Sequence, residues 1–175
     1  MATTRRVQTT RMGGKRVRIV TTTSDAGTRV RVTDAAPQEW ELQAAQVRAL
    51  RALPEFAKCE ADVRSGRGLF TIAGDQNSAK RGPKARMQAI AAGMAAGEHD
   101  VRIYMIGANL GLIENKVGNA PFEPSQKVRH PLLAALGFSR QATIRSTSET
   151  DAAQQAVATV RGWLSDIIDD KRIAA

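Results

Sequence analysis

The chain has 175 residues, 42% hydrophobic and 4% aromatic, with a net charge of +9 and a pI near 10.6. That length and apolar content fit one domain with a real core, and so few aromatic residues argue against a module that binds single strands by base stacking. The charge favours a polyanionic partner, nucleic acid ahead of an anionic membrane, although charge by itself fits a merely basic surface equally well.

The single cysteine, Cys59, excludes a disulfide framework and a Cys-rich zinc site and fits a reducing, cytoplasmic compartment. The two histidines, His99 and His130, lie far apart and form no zinc spacing. No apolar run reaches the ~18 residues of a membrane span. The basic N-terminus is not followed by the apolar segment of a secretory signal.

Residues 1–34 form a basic arm, with eight Lys or Arg against two Asp. Residues 15–22 and 28–32 read as short strands around Ser24-Asp25-Ala26-Gly27, with a disordered arm equally open. Its Arg5, Arg6, Arg11, Lys15, Arg16 and Arg18 suit phosphate contact by counterion release; a solubilising tail is the plainer reading. The main domain is expected over residues 35–165. A helix is predicted over 37–53, with Pro37 in its first turn and Pro54 beyond its end. Trp40, Ala44, Val47 and Leu50 or Arg51 mark its apolar stripe, and Glu39 and Gln43 share a face one turn apart.

Residues 69–73 read as a strand, followed by a turn at 74–78 and a second basic cluster, Lys80, Arg81, Lys84 and Arg86. A short helix over 83–92 follows, then two strands joined by a Gly-Ala-Asn turn at 107–109. Pro124 opens a further helix with Val128, Leu132, Leu133 and Leu136 apolar and a kink expected at Pro131. A strand at 142–145 and a last helix with Ala152, Ala156, Val160, Trp163 and Leu164 on its buried stripe complete the domain, leaving a fraying tail over 166–175.

The hairpin carries the chemistry. A strand alternates its faces, so Glu114 and Lys116 point the same way, roughly 7 Å apart. Folding about 107–109 brings Asp100 opposite or diagonal to them. Two carboxylates repel unless a cation lies between them, and hard divalent cations take oxygen ligands. This is the arrangement a Mg²⁺-dependent phosphodiester hydrolase needs. A solvated polar ribbon face is the plainer alternative.

Four pieces taken together resemble one family. They are Glu39-x-x-x-Gln43, Gly97-Glu98-His99-Asp100 leading into a strand, Glu114-Asn115-Lys116, and Pro124-Ser125-Gln126-Lys127 opening a helix that ends Ala-Leu-Gly-Phe. They are similar to the VRR-NUC branch of the PD-(D/E)XK nucleases, in its small standalone bacterial and phage form, over about residues 37–164. The resemblance implies an α/β fold with a restriction-endonuclease-like core, a central mixed sheet flanked by helices. It implies Asp100 and Glu114 as ligands of a catalytic Mg²⁺ or Mn²⁺, with the backbone carbonyl of Asn115 as a third oxygen. Lys116 would orient or activate water, Glu39 would reach the metal region from the first helix, Gln126 would stabilise the site and Gln43 would support it. The sequence departs from the family in having His99 where Pro is usual before the Asp, Glu123 where Ser or Thr is usual, and Pro131. Glu41 rivals Glu39 for the first-helix role.

The implied activity is endonucleolytic cleavage of DNA, structure-selective for branched substrates such as four-way junctions, by a homodimer in a bacterial or phage-infected cytoplasm. Arg16, Arg18, Lys80, Arg81, Lys84, Arg86 and Lys127 are the expected nucleic-acid contacts. A non-catalytic basic DNA-binding protein on the same fold and an RNA-processing nuclease are the alternatives.

Overall fold

A computed structural model of the protein describes residues 2–13, 15–74 and 82–173. It divides into two compact units between Gln38 and Glu39. The first is a three-stranded antiparallel meander of β1 (Thr4–Met12), β2 (Lys15–Ser24) and β3 (Gly27–Asp34), in that order. Thr and Val fit a pleated surface, and Gly27, at φ 114°, closes the β2–β3 reversal in a conformation that favours glycine. The strand over residues 4–12 lies outside the two the sequence suggested. Val7 is its only β-branched apolar residue, so no apolar alternation marks it.

The second unit is mixed α/β. Its elements are α1 (Glu39–Arg51), α2 (Glu60–Arg64), β4 (Phe70–Gly74), α3 (Pro83–Ala91), β5 (Val101–Met105), β6 (Asn109–Val117), α4 (Pro124–Ala135), β7 (Gln141–Ser146) and α5 (Glu149–Ile173). The sheet order is β4-β5-β6-β7, antiparallel across the first three strands and parallel between β6 and β7. A parallel neighbour needs a crossover, and α4 lies in it.

Leu42 and Leu50 of α1 and Ala152, Ala156, Val160, Leu164 and Ile167 of α5 pack with Phe70, Val101, Ile103, Met105, Ile113 and Ile144 of the sheet. Each large apolar side chain buried this way contributes roughly 1.5–3 kcal/mol. At Gly111 the fit is close: a Cβ would lie 2.4 Å from the Trp163 ring.

The structure corrects the expected stripe of α1 and the expected end of α5, and it shows which apolar residue of α4 is buried. The buried face of α1 is Leu42, Ala45, Gln46 and Leu50, while Trp40 is exposed. Gln46 interrupts the apolar count of that face, yet it is fully buried because Asn115 accepts its amide hydrogen. On α4 only Leu133 is buried; Val128, Leu132 and Leu136 face outward, and Gln126 and His130 occupy the inner face with Leu133. Finally α5 runs to Ile173 where fraying was expected from Asp166, because Ile167 extends the buried stripe by a further turn. No helix among the described residues is long and apolar enough to cross a membrane.

Candidate active site

The β5–β6 hairpin pairs Val101 with Ile113 and Met105 with Asn109. Continuing that register by one residue sets Asp100 across from Glu114, as the sequence suggested. The Asn115 backbone N–H donates to Asp100 Oδ2 at 2.7 Å and fixes the carboxylate. Along β6 the faces alternate. Gly111, Ile113 and Asn115 turn toward α1 and α5, and Glu114 and Lys116 toward α4. The strand thus gives one face to the core and the other to charge.

Glu114 is 1% exposed. Its Oε1 accepts from Lys116 Nζ at 2.9 Å and from Gln126 Nε2 at 2.5 Å. Lys116, itself buried, also lies 3.5 Å from Glu39 Oε1 at the start of α1. Glu39 is therefore a first-turn acid that meets the lysine. Gln126 holds both ends of its amide: Oε1 accepts from the Glu123 backbone N–H at 2.9 Å while Nε2 serves Glu114. Gly97 allows this helix start to sit where it does. A Cβ there would lie 2.5 Å from the Ser125 carbonyl, and its φ of 83° already favours glycine.

A supporting layer surrounds these groups. Gln43 Nε2 donates to the Asp100 carbonyl at 2.9 Å, and Gln46 Nε2 to Asn115 Oδ1 at 2.5 Å. His99 is buried and stacks on His130 with ring centroids 3.9 Å apart. His130 Nε2 comes within 3.6 Å of Glu114 Oε2, and neither atom has a hydrogen-bond partner. The histidines lie far apart in the sequence and show no zinc spacing; α4 brings their rings together. Gln46 and His130 were not identified from sequence. His130 follows Gln126 by one helical turn, the one signal that places it on the same face.

Burial raises the Glu114 pKa to about 7, and the charge of Asp100 adds to it. Burial likewise raises Asp100, against the lowering effect of the Asn115 N–H. Burial alone would depress Lys116, but its hydrogen bond to Glu114 and the charges of Glu114, Glu39 and Asp100 outweigh that and hold it above its ordinary value. Lys116 therefore stays an ammonium. Burial lowers His99 to about 4 and lowers His130 as well.

A buried Glu114 with an unpartnered Oε2 and a half-buried Asp100, whose charge hinders the ionisation of Glu114, form an oxygen-donor set suited to a hard cation. No group of three or more His, Cys, Asp or Glu side chains among the described residues is placed to hold a metal. Mg²⁺ keeps several of its waters, so two carboxylates and a backbone carbonyl are sufficient.

Among the expected nucleic-acid contacts, Arg16 and Arg18 lie on β2, where the Arg16 guanidinium also donates to the Ala36 carbonyl at 3.1 Å. Lys84 and Lys127 are exposed at the starts of α3 and α4. Lys80, Arg81 and the Arg86 side chain lie outside the described residues. Compared with family models, curated proteins and solved structures, the chain matches none.

Proposed function

We propose that the protein is a divalent-metal-dependent DNA endonuclease with a restriction-endonuclease-like core, using Mg²⁺ or Mn²⁺. One observation carries this reading. Glu114 is buried with Oε1 occupied by Lys116 and Gln126 and Oε2 unpartnered, next to the half-buried Asp100 carboxylate that hinders its ionisation. Lys116 supplies a single positive charge among Asp100, Glu114 and Glu39, and a divalent cation would supply the rest.

Asp100, Glu114 and the Asn115 carbonyl would hold the metal, with Glu39 reaching the same region. The bound ion would polarise the phosphate and lower the pKa of an attacking water. The protein's own groups do the rest. Asn115 N–H keeps the Asp100 carboxylate oriented. Gln126 restrains Glu114, and its second hydrogen bond to Glu123 locks the amide. The Lys116 ammonium offsets charge on the scissile phosphate and orients the water, while Glu39 and Glu114 hold the ammonium in place.

We further propose cleavage of branched DNA by a homodimer acting in the cytoplasm. Two symmetric cuts suit a two-fold assembly. The outward stripe of Val128, Leu132 and Leu136, at one-turn spacing on α4, supplies an apolar face for a second copy.

The test is incubation of the purified protein with supercoiled plasmid, a four-way junction, linear duplex and RNA, in Mg²⁺, Mn²⁺ or EDTA, beside Glu114→Ala and Lys116→Ala. Metal-dependent cutting lost in both variants is expected. Cutting that persists in EDTA or in either variant removes the site assignment, and binding without cutting leaves a DNA-binding protein on this fold.

A further inference from the structure

The strand register of the first unit sorts its arginines by face. Residues paired across strands share a face, and alternate residues along a strand do too. Along β2 one face is Arg16, Arg18, Val20 and Thr22. Their β1 partners are Arg11, Thr9, Val7 and Arg5. On β3, Arg18, Val20 and Thr22 pair with Thr33, Arg31 and Arg29. Six of this unit's seven arginines therefore stand on one side of the sheet. Only Arg6, paired with Thr21, falls on the other.

That side carries no acid at any of its paired positions. Asp34 pairs with Val17 on the opposite face, and Asp25 lies in the turn. Arg5, Arg18, Arg29 and Arg31 border a shallow depression floored by Val20, Thr22 and Thr33. Like charges packed across strands destabilise a sheet, and Arg11 directly faces Arg16. A face of one sign suits a polyanion.

We propose that this arginine face is a binding surface for duplex DNA that grips the phosphate backbone without reading sequence. The surface goes beyond the nuclease reading and stands without it. Arg16 and Arg18, and Arg29 and Arg31, lie roughly 7 Å apart along their strands, and Arg11 and Arg16 roughly 5 Å apart across strands, spacings that suit the closely spaced phosphates of a duplex. Every basic residue on the face is Arg, whose planar fork binds phosphate oxygens bidentately. Thr9, Thr22 and Thr33 add hydroxyl donors of the kind that contact phosphates. No aromatic residue lies in these three strands, so single-strand stacking has no platform.

Arg5 and Arg6 are chain neighbours of equal charge on opposite faces, which makes them a matched pair for the test. Binding of the full-length protein to labelled duplex DNA is followed by fluorescence anisotropy in EDTA, from 50 to about 300 mM KCl, with duplex RNA and phosphatidylserine vesicles in parallel. Each lost phosphate contact removes about 0.9 from the slope of log K against log salt. Arg5→Ala is expected to lower the slope by about one, the Arg5→Ala/Arg18→Ala/Arg31→Ala variant by about two to three, and Arg6→Ala by nothing measurable. Circular dichroism and thermal unfolding check that each variant is folded.

Equal losses for Arg5→Ala and Arg6→Ala would reduce the arm to diffuse charge and overturn the proposal. So would an unchanged slope in the triple variant, or tighter binding to RNA or vesicles than to duplex DNA. EDTA keeps binding independent of cleavage. A protein that binds through this face and never cuts refutes the nuclease reading alone, and one that cuts with an unaltered salt slope in the triple variant refutes this surface alone.

Discussion

The two sheets place charge in opposite ways. In the three-stranded sheet six of the seven arginines sit in register on one face with no acid at its paired positions. In the four-stranded sheet every charged group at the centre of β6 is buried and individually partnered, Glu114 to Lys116 and Gln126, and Lys116 to Glu39. The difference follows from solvent. Water screens like charges on an open face, so they can accumulate there. Beneath α4 an uncompensated charge costs several kcal/mol, so Glu114 and Lys116 pair with each other, and only Glu114 Oε2 is left for a further cation. The first arrangement suits binding a long polyanion anywhere along its length, and the second suits acting on one bond.

The largest expected effect separates the two sheets by function. Glu114→Gln or Lys116→Ala should lower the cleavage rate by about two or more powers of ten. Duplex affinity in EDTA should change less than about twofold, because neither residue belongs to the arginine face. Single-turnover cleavage beside anisotropy measures both. A variant that loses binding and cutting together would merge the two surfaces into one.

Next in size is a backbone change beneath the site. Gly97→Ala forces a Cβ against the Ser125 carbonyl at a φ that favours glycine. A loss of about 2 kcal/mol or more is expected in urea unfolding, together with slower cleavage as Gln126 moves away from Glu114. The matched change in the other sheet, Gly13→Ala, has positive φ but open space around its Cβ, and should cost only about 1 kcal/mol.

The buried site also has a pH signature that the arginine face lacks. Glu114, raised to about 7 by burial and by Asp100, keeps its proton in the folded state where the unfolded chain has lost it. Its contribution to stability is therefore lost as pH rises from about 4.5 through 7. His99, lowered to about 4 by burial and by the neighbouring His130, does the reverse: its contribution is present above about 6.5 and is lost as pH falls toward 4. Asp100 adds to the first effect and His130 to the second. In the metal-free protein the opposing slopes should leave stability nearly flat between about pH 4.5 and 6.5. The Asp100→Asn/Glu114→Gln variant should unmask the histidines and lose about 1 kcal/mol per pH unit on acidification across that range. Denaturant unfolding in EDTA at several pH values would reveal it. An equally flat profile in the variant would mean that the histidines are not held neutral.

How far each sheet was legible in the sequence follows from the range of the interactions that build it. The β5–β6 hairpin is local, its apolar residues alternate, and Asp100, Glu114 and Lys116 could be brought together by folding one turn. The supporting residues depend on helices distant in the chain. Gln46 gave no signal in the sequence because Asn115, its partner, is 69 residues away. Which of Val128, Leu132, Leu133 and Leu136 is buried has no local signal, because nothing nearby in the chain reveals that the sheet side of α4 is taken by Gln126, His130 and Leu133. The arginine face was hidden for a third reason. The composition of the arm was plain, but which arginines share a face depends on a register across three strands, and β1 carries too few apolar residues to announce itself.

The smallest expected effect concerns the turn on which the hairpin depends. Gly107 and Ala108 both have positive φ, 72° and 57°, and Ala108 is the only non-glycine residue with positive φ among those described. Asn109 stabilises the turn by donating from Nδ2 to the Ile106 carbonyl at 2.9 Å. An alanine in the left-handed region costs roughly 1 kcal/mol, and glycine removes that strain but adds freedom to the unfolded chain. Ala108→Gly should therefore raise stability by no more than about 1 kcal/mol, read as a higher urea midpoint at unchanged m-value. Cleavage should be unaltered, since the turn lies at the far end of the strands from Asp100 and Lys116. The corresponding turn of the arginine sheet already has glycine at its strained position, Gly27 at φ 114°. Gly27→Ala should accordingly lower stability where Ala108→Gly raises it, and two changes of the same sign would show that turn strain does not limit either hairpin.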